Sequence, residues 1–219
     1  MIAVPTYQRA ATLVRCTLAL LRRHAIDPGR VTLFVADADE EAVYEALLPL
    51  EYRRRIVRAV VGMRAVRNFI QQFYGDGVPV VALDDDVRDV VQRRDGRTLT
   101  PVADLAELFT DAFALADRAG AGLWGVYPVA NALFMKPTVT YDLRYVVGCL
   151  WGCWNSTVDS LAVTLDDKED YERTLKWYIE IERDVWMWNV RLLKLQLIKP
   201  DKKLFIFLNN IIRNIKFSR

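Results

Sequence analysis

Three consecutive carboxylates, Asp84, Asp85 and Asp86, close the apolar run Val80-Val81-Ala82-Leu83. Neighbouring like charges repel, and none can be buried without a partner. With no His or Cys beside them, they suit a hard cation such as Mg2+ or Mn2+. Such ions take oxygen ligands and often share them with a bound diphosphate. Alternate residues of an extended segment point to one side. Asp84 and Asp86 are therefore the expected metal pair, and Asp85 is expected to turn away and hydrogen-bond. An Asp-x-Asp pattern alone also fits a solvated turn or a helix cap. The apolar run in front of it, together with other polar strand ends in the chain, favours a metal seat.

Other residues could serve such a site. Pro5, Thr6, Tyr7 and Arg9 join a first apolar run to a helical segment; Thr6 could cap that helix and Arg9 could meet a phosphate. Asp37 ends the run "VTLFVADADE", where an acid can take a ribose or base group or cap the next helix. Arg64 and Arg67 stand one helical turn apart on one face, able to hold a phosphate or to be solvated. In "KEDYER", Glu169 or Asp170 could pull a proton from an acceptor hydroxyl, or could simply favour a helix start. The chain has no GxGxxG and no Walker motif, so dinucleotide and P-loop readings lack support.

The elements that must position these residues follow from periodicity. "IAVP", "VTLFV", "RIVRAVVG", "VPVVAL" and "LWGV" read as strands. "RAATLVRCTLALLRRHAI", "EEAVYEALLPL", "MRAVRNFIQQFYGDG" and "PVADLAELFTDAFALADRAGAG" read as helices, stopped by Pro or Gly. Alternating strands and helices predict an α/β domain whose central sheet is mostly parallel, with helices on both faces. Ligands then bind beyond the carboxyl ends of the strands, where Thr6, Asp37 and Asp84 all fall. After residue 140 the pattern thins.

Composition sets the outer bounds. The 219 residues are 53 % hydrophobic and 26 % charged, with a formal net charge of +2, enough for a sizeable core and neutral on nucleic-acid binding. Arginines at 53, 54, 55 and 58 form a local basic run, and residues 191–219 are basic as well. Cys16, Cys149 and Cys153, with the lone His24 far away, give no disulfide framework and no zinc pattern. The opening "MIAVPTYQRA" lacks the features of a secretion signal, and no run of about 20 apolar residues suggests a membrane span. Cytoplasmic residence is the expectation, that of a host if the chain is viral.

Taken together, "IAVPTYQRAATLVRCTLALL", "FVADADE", "GMRAVRNF" with its Arg67-Asn68 pair, and "VVALDDDV" resemble the motifs of family-2-like, GT-A-fold glycosyltransferases. "WGVYPVAN" and "KEDYERTLKWY" resemble the narrower TET/JBP-associated group of phages and large DNA viruses. The likeness covers roughly residues 1–180. It implies a GT-A, Rossmann-like domain over 1–185, with a nucleotide-sugar half at about 1–90 and an acceptor half at about 91–185. It implies Mn2+ or Mg2+ on Asp84 and Asp86. It implies a UDP-sugar donor, such as UDP-glucose, held by Pro5, Thr6, Tyr7, Arg9, Asp37, Arg64, Arg67, Asn68 and Asp85. Asp170 or Glu169 becomes the base, and 5-hydroxymethylcytosine in DNA becomes the acceptor. The tryptophans could stack on a flipped base, although core packing is their commoner use. Residues 186–219 match no family element, and no His follows His24 to serve as a late ligand. The competing readings are a transferase for protein, glycan or lipid, a nucleotidyltransferase, and a non-catalytic nucleotide-sugar-binding module.

Overall fold

The computed structural model describes residues 1–95, 98–133, 135, 139, 143–183 and 193–194. The extension expected at 186–219 therefore lies almost wholly outside the described residues. Five strands run parallel: β1 (Ile2–Pro5), β2 (Val31–Val35), β3 (Ile56–Arg58), β4 (Pro79–Leu83) and β7 (Leu123–Gly125). One strand, β8 (Leu150–Trp154), runs antiparallel between β4 and β7. A two-residue strand, β9 (Leu193–Lys194), pairs with β7, giving the order β3-β2-β1-β4-β8-β7-β9. A separate hairpin, β5 (Val91–Asp95) with β6 (Thr98–Pro101), follows the carboxylate run and has no counterpart in the sequence reading.

The central strands β1, β2 and β4 are buried on both sides, and period-two alternation divides their side chains between two cores. Ile2, Val4, Val31, Leu33, Val35, Val81 and Leu83 face one cluster; Ala3, Phe34, Val80 and Ala82 face the other. The first face is covered by α1 (Ala10–Leu13), α2 (Ala19–Arg23) and α6 (Leu105–Ala119), with α3 (Ala38–Leu47) and α4 (Leu50–Arg53) contributing Tyr44 and Tyr52. The second is covered by α5 (Met63–Phe73), through Val66 and Ile70, and by α7 (Glu169–Arg183), through Trp177.

Local signals explain the boundaries. Asp104 caps α6 by accepting from the Ala106 and Glu107 amides at 2.7 and 3.0 Å, and Gly120 closes it in the left-handed region. The helix expected over residues 9–26 is present over Ala10–Arg23, but a π turn over Val14–Leu18 separates α1 from α2. Gly152 of β8 lies beneath the Trp124 indole, in space a Cβ would need. Asn155 fixes the end of β8 by donating from Nδ2 to the Tyr74 and Gln71 carbonyls at 2.6 and 2.9 Å.

Candidate active site

Because β1, β2 and β4 are parallel, their carboxyl ends share one edge of the sheet. A cleft of about 290 Å3 opens there. Pro5, Thr6, Tyr7 and Arg9 line it from the first strand end, and Asp84, Asp85 and Asp86 from the fourth. Phe34 and Ala36 form its floor at β2; Val60, Val61, Gly62 and Met63 form the wall before α5.

β4 ends at Leu83, so strand alternation does not govern the three carboxylates. Asp84 follows the strand and Asp85-Asp86 form a turn. Asp84 and Asp86 expose about a third to a half of their side chains, 36 % and 46 %. Asp85 is buried and fully engaged. It accepts from Thr6 Oγ1 at 2.8 Å and from Arg9 Nη1 at 3.0 Å. Arg9 reaches Asp86 with its other nitrogen, at 2.9 Å. With Asp85 a carboxylate, Thr6 spends its hydroxyl proton there, so the Tyr44 hydroxyl donates to Thr6 at 2.6 Å and accepts the Arg9 amide at 3.1 Å. Burial pushes the Asp85 carboxyl above the usual range, and the Thr6 bond and Arg9 oppose that rise.

The backbone of this loop is held from two sides. The Asp84 amide donates to the Cys149 carbonyl at 3.0 Å. Thr17, buried in the π turn, donates to the Asp84 carbonyl at 2.7 Å and accepts the Val87 amide at 3.0 Å. Neither Tyr44 nor Thr17 was singled out by sequence reasoning. Thr17 did leave a signal, a polar residue within the apolar stripe Leu13, Cys16, Leu20 and Leu21.

Four expected donor-binding residues do not line the cleft. Asp37 caps α3, accepting the Glu40 amide at 2.9 Å. Arg64, Arg67 and Asn68 do share a face of α5, but that face meets the chain's own loop before α7. Arg64 donates to the Thr164 carbonyl at 3.1 Å and pairs with Asp166 at 3.4 Å. Asn68 exchanges two hydrogen bonds with Val163, at 2.8 and 2.9 Å. Arg67 is buried: it donates to Asp84 at 3.1 Å and stands 3.8 Å from Glu169. Arg173 stands 4.0 Å from the same Glu169 oxygen, and both guanidinium groups lie over the Trp151 ring.

Glu169 and Asp170 open α7, and the chain Asp84–Arg67–Glu169 links them to the metal-type acids. Burial, then the Glu169 charge, raises the Asp170 carboxyl above its ordinary range. Burial, then the like charge of Arg67, lowers Arg173 to about 10. Cys149 and Cys153 are free thiols. Burial pushes Cys153 up to about 12, so it is a core thiol.

Among the described residues no group of three or more His, Cys, Asp or Glu side chains could cage a metal. An Mg2+-type ion needs no such cage; one or two carboxylates, with water and donor phosphates, meet its usual demand. Asp84 and Asp86, open to the cleft and composed of hard oxygens, fit that role.

This sheet order, with its antiparallel strand between β4 and β7 and its acids at the end of β4, is the GT-A, Rossmann-like arrangement. S. aureus TarS residues 1–349 superpose with a TM-score of 0.58 at 15 % identity, over 98 % of this chain and 63 % of that one. The same protein in complex with UDP gives 0.57 at 15 % identity, over 99 % and 65 %. The mannosyltransferase PcManGT from Pyrobaculum calidifontis, in complex with GDP-Man and Mn2+, gives 0.54 at 15 % identity, over 100 % and 64 %. The chain thus spans just under two-thirds of the length of these structures. No protein-family model and no curated protein matches it. No helix among the described residues is long and apolar enough to cross a membrane.

Proposed function

We propose that the chain is a metal-dependent glycosyltransferase that moves a sugar from a nucleotide diphosphate, a UDP-sugar, to a hydroxyl acceptor. One observation carries this reading. The cleft at the shared strand edge exposes Asp84 and Asp86 on one wall and an apolar surface, Val60, Val61 and Met63, on the other. A diphosphate carried on a divalent cation suits the first wall and a flat base the second. The UDP complex of TarS and the GDP-Man and Mn2+ complex of PcManGT, proteins of the same fold, support it.

Each residue then has a task. Tyr7, about half exposed at the mouth, can cover the base, and Arg9 lies between the first strand end and the acids, within reach of phosphate. Asp85 is the brace that holds Thr6 and Arg9. Asp84 and Asp86 would hold the ion, which when bound supplies positive charge against the departing diphosphate. Asp170 or Glu169 takes the acceptor proton. A buried carboxyl with raised proton affinity is the better matched base near neutral pH, which favours Asp170.

The finer reading, 5-hydroxymethylcytosine in DNA as acceptor, draws little from the basic run. Arg53 donates to the Leu48 carbonyl, Arg55 to Thr32, and Arg58 pairs with Glu41. The test is hydrolysis of UDP- and GDP-sugars with Mn2+ by wild type and by the Asp84→Ala, Asp86→Ala double variant. Wild-type turnover that drops at least a hundredfold in the double variant is expected. Turnover that survives the change would overturn the metal assignment. Release of pyrophosphate from a nucleoside triphosphate offered with a sugar 1-phosphate, with no hydrolysis of the nucleotide sugar, would mark a nucleotidyltransferase, and donor binding without turnover a binding module.

A further inference from the structure

We infer that the apolar cavity behind the carboxylates is the acceptor site, and that the acceptor is a hydroxyl compound with an apolar body of about a dozen heavy atoms. The inference rests on the transferase reading above and names the substrate class for it.

Position is the first argument. A cavity of about 360 Å3, larger than the donor cleft, lies on the α6 side of the same strand edge. It begins where the carboxylates end. Val87, next after Asp86, lines it, and so does Cys149, whose carbonyl accepts the Asp84 amide. A ligand filling this space can place one end against the donor cleft.

Chemistry of the wall is the second argument. Val91 of the β5–β6 hairpin, Val102, Leu108 of α6, Val126 and Leu150 surround the space. Among the described residues the wall carries two charged side chains, both already engaged, and two other polar ones, Gln92 and Tyr127. Asp89 accepts from Arg23 at 3.2 Å and from the Val90 amide at 2.9 Å. Arg93 donates to the Met135 carbonyl at 2.5 Å. A polyhydroxylated or phosphorylated ligand would lose water here and find few partners, a cost an apolar body avoids. At about 30 Å3 for each water-sized group, the volume holds about twelve heavy atoms. In the transfer, the acceptor oxygen bonds to the anomeric carbon as that carbon's bond to the diphosphate oxygen breaks. The diphosphate leaves with the bonding pair, and the hydroxyl proton passes through water to Asp170 or Glu169, which line neither the cavity nor the cleft.

The experiment uses the full chain with Mn2+, a panel of UDP- and GDP-sugars, and n-butanol, n-hexanol, n-octanol and n-decanol as probe acceptors, read by mass spectrometry. A second arm offers DNA containing 5-hydroxymethylcytosine. A third follows maleimide labelling of Cys149, since Cys16 and Cys153 are buried. The expected result is a rise in kcat/KM of about fourfold per methylene until the cavity is full. Labelling of Cys149 should slow several-fold in n-octanol. Leu108→Trp and the exposed Val129→Trp, each normalised to its own donor hydrolysis, should bring the plateau to a shorter alcohol. Donor hydrolysis without chain-length dependence or Cys149 protection overturns the cavity assignment and leaves the transferase standing. Preference for the modified DNA also overturns it. Absence of donor hydrolysis with every sugar overturns the transferase reading and the acceptor role with it.

Discussion

Replacing Arg67 by methionine removes a side chain that joins Asp84 to the start of α7. Its guanidinium is about nine-tenths buried, donates to Asp84 at 3.1 Å and stands 3.8 Å from Glu169. Deleting one member of a buried ion pair costs about 3–5 kcal/mol, because a charge is left without its partner. Two features lower that figure here. Asp84 is 36 % exposed, so water takes over part of the role. Nε and Nη1 of Arg67 reach no hydrogen-bond acceptor, so the substitution also relieves about 1–3 kcal/mol of desolvation. The net expectation is a loss of about 2 kcal/mol. For a chain of this size that lowers Tm by about 4–8 °C, measured by calorimetry at neutral pH. In a double-mutant cycle with Asp84→Asn, the two sites should couple by about 1 kcal/mol, as contacting residues do. A Tm unchanged or raised, or a coupling of zero, would refute the view that Arg67 ties strand β4 to helix α7.

Four further outcomes can be measured. Asp170 must be ionised to act as base, so transfer should fail as pH falls through its raised pKa, and Glu169→Gln should move that limb lower by removing a like charge. Folding follows the opposite sign: a raised carboxyl pKa means that ionisation subtracts stability as pH rises from the ordinary value to the folded one. Asp170→Asn should then be neutral or stabilising at pH 7 in urea unfolding while removing transfer. Asn155→Ala should cost about 2–3 kcal/mol by the same measurement, since the buried Tyr74 and Gln71 carbonyls lose their donor, with donor hydrolysis per folded molecule unchanged. Gly152→Ala should cost at least about 2 kcal/mol, because its new methyl overlaps the Trp124 ring.

Much of the sheet was legible because its strands are buried on both faces and read as continuous apolar runs. "VPVVAL" gave β4, and the acids after it marked the strand edge. Strand β8 was harder: "CLWGCWN" is apolar and aromatic, but its direction depends on pairing with β4 and β7, which no local pattern states. The hairpin at 91–101 has an Asp95-Gly96 turn signal, but its arginines disguised the flanking strands. In the site, Asp37 and the Arg64, Arg67, Asn68 stripe show the limit. Spacing tells which residues share a helix face, never what that face meets. Here it meets Val163, Thr164 and Asp166, nearly a hundred residues later in sequence. Tyr44 was invisible for the same reason, its hydroxyl reaching a residue 38 positions earlier.

The π turn before α2 carries one more implication. It places Thr17 where its hydroxyl can take the Val87 amide and give its proton to the Asp84 carbonyl. Deleting one residue from Val14–Leu18 would restore regular α geometry and swing Thr17 by about 100°. The Asp84 carbonyl and the Val87 amide would then lose their side-chain partner, leaving the Cys149 carbonyl as the backbone contact of that loop, beside the side-chain bonds of Asp84, Asp85 and Asp86. As built, that loop has little slack. Asp84 and Asp86 each keep one oxygen in an ion pair, with Arg67 and Arg9, and side-chain rotation, a motion of picoseconds to nanoseconds, remains free to adjust the others. A small irregularity in a helix thus shifts the work of shaping the ion's seat from the moment of binding to the moment of folding.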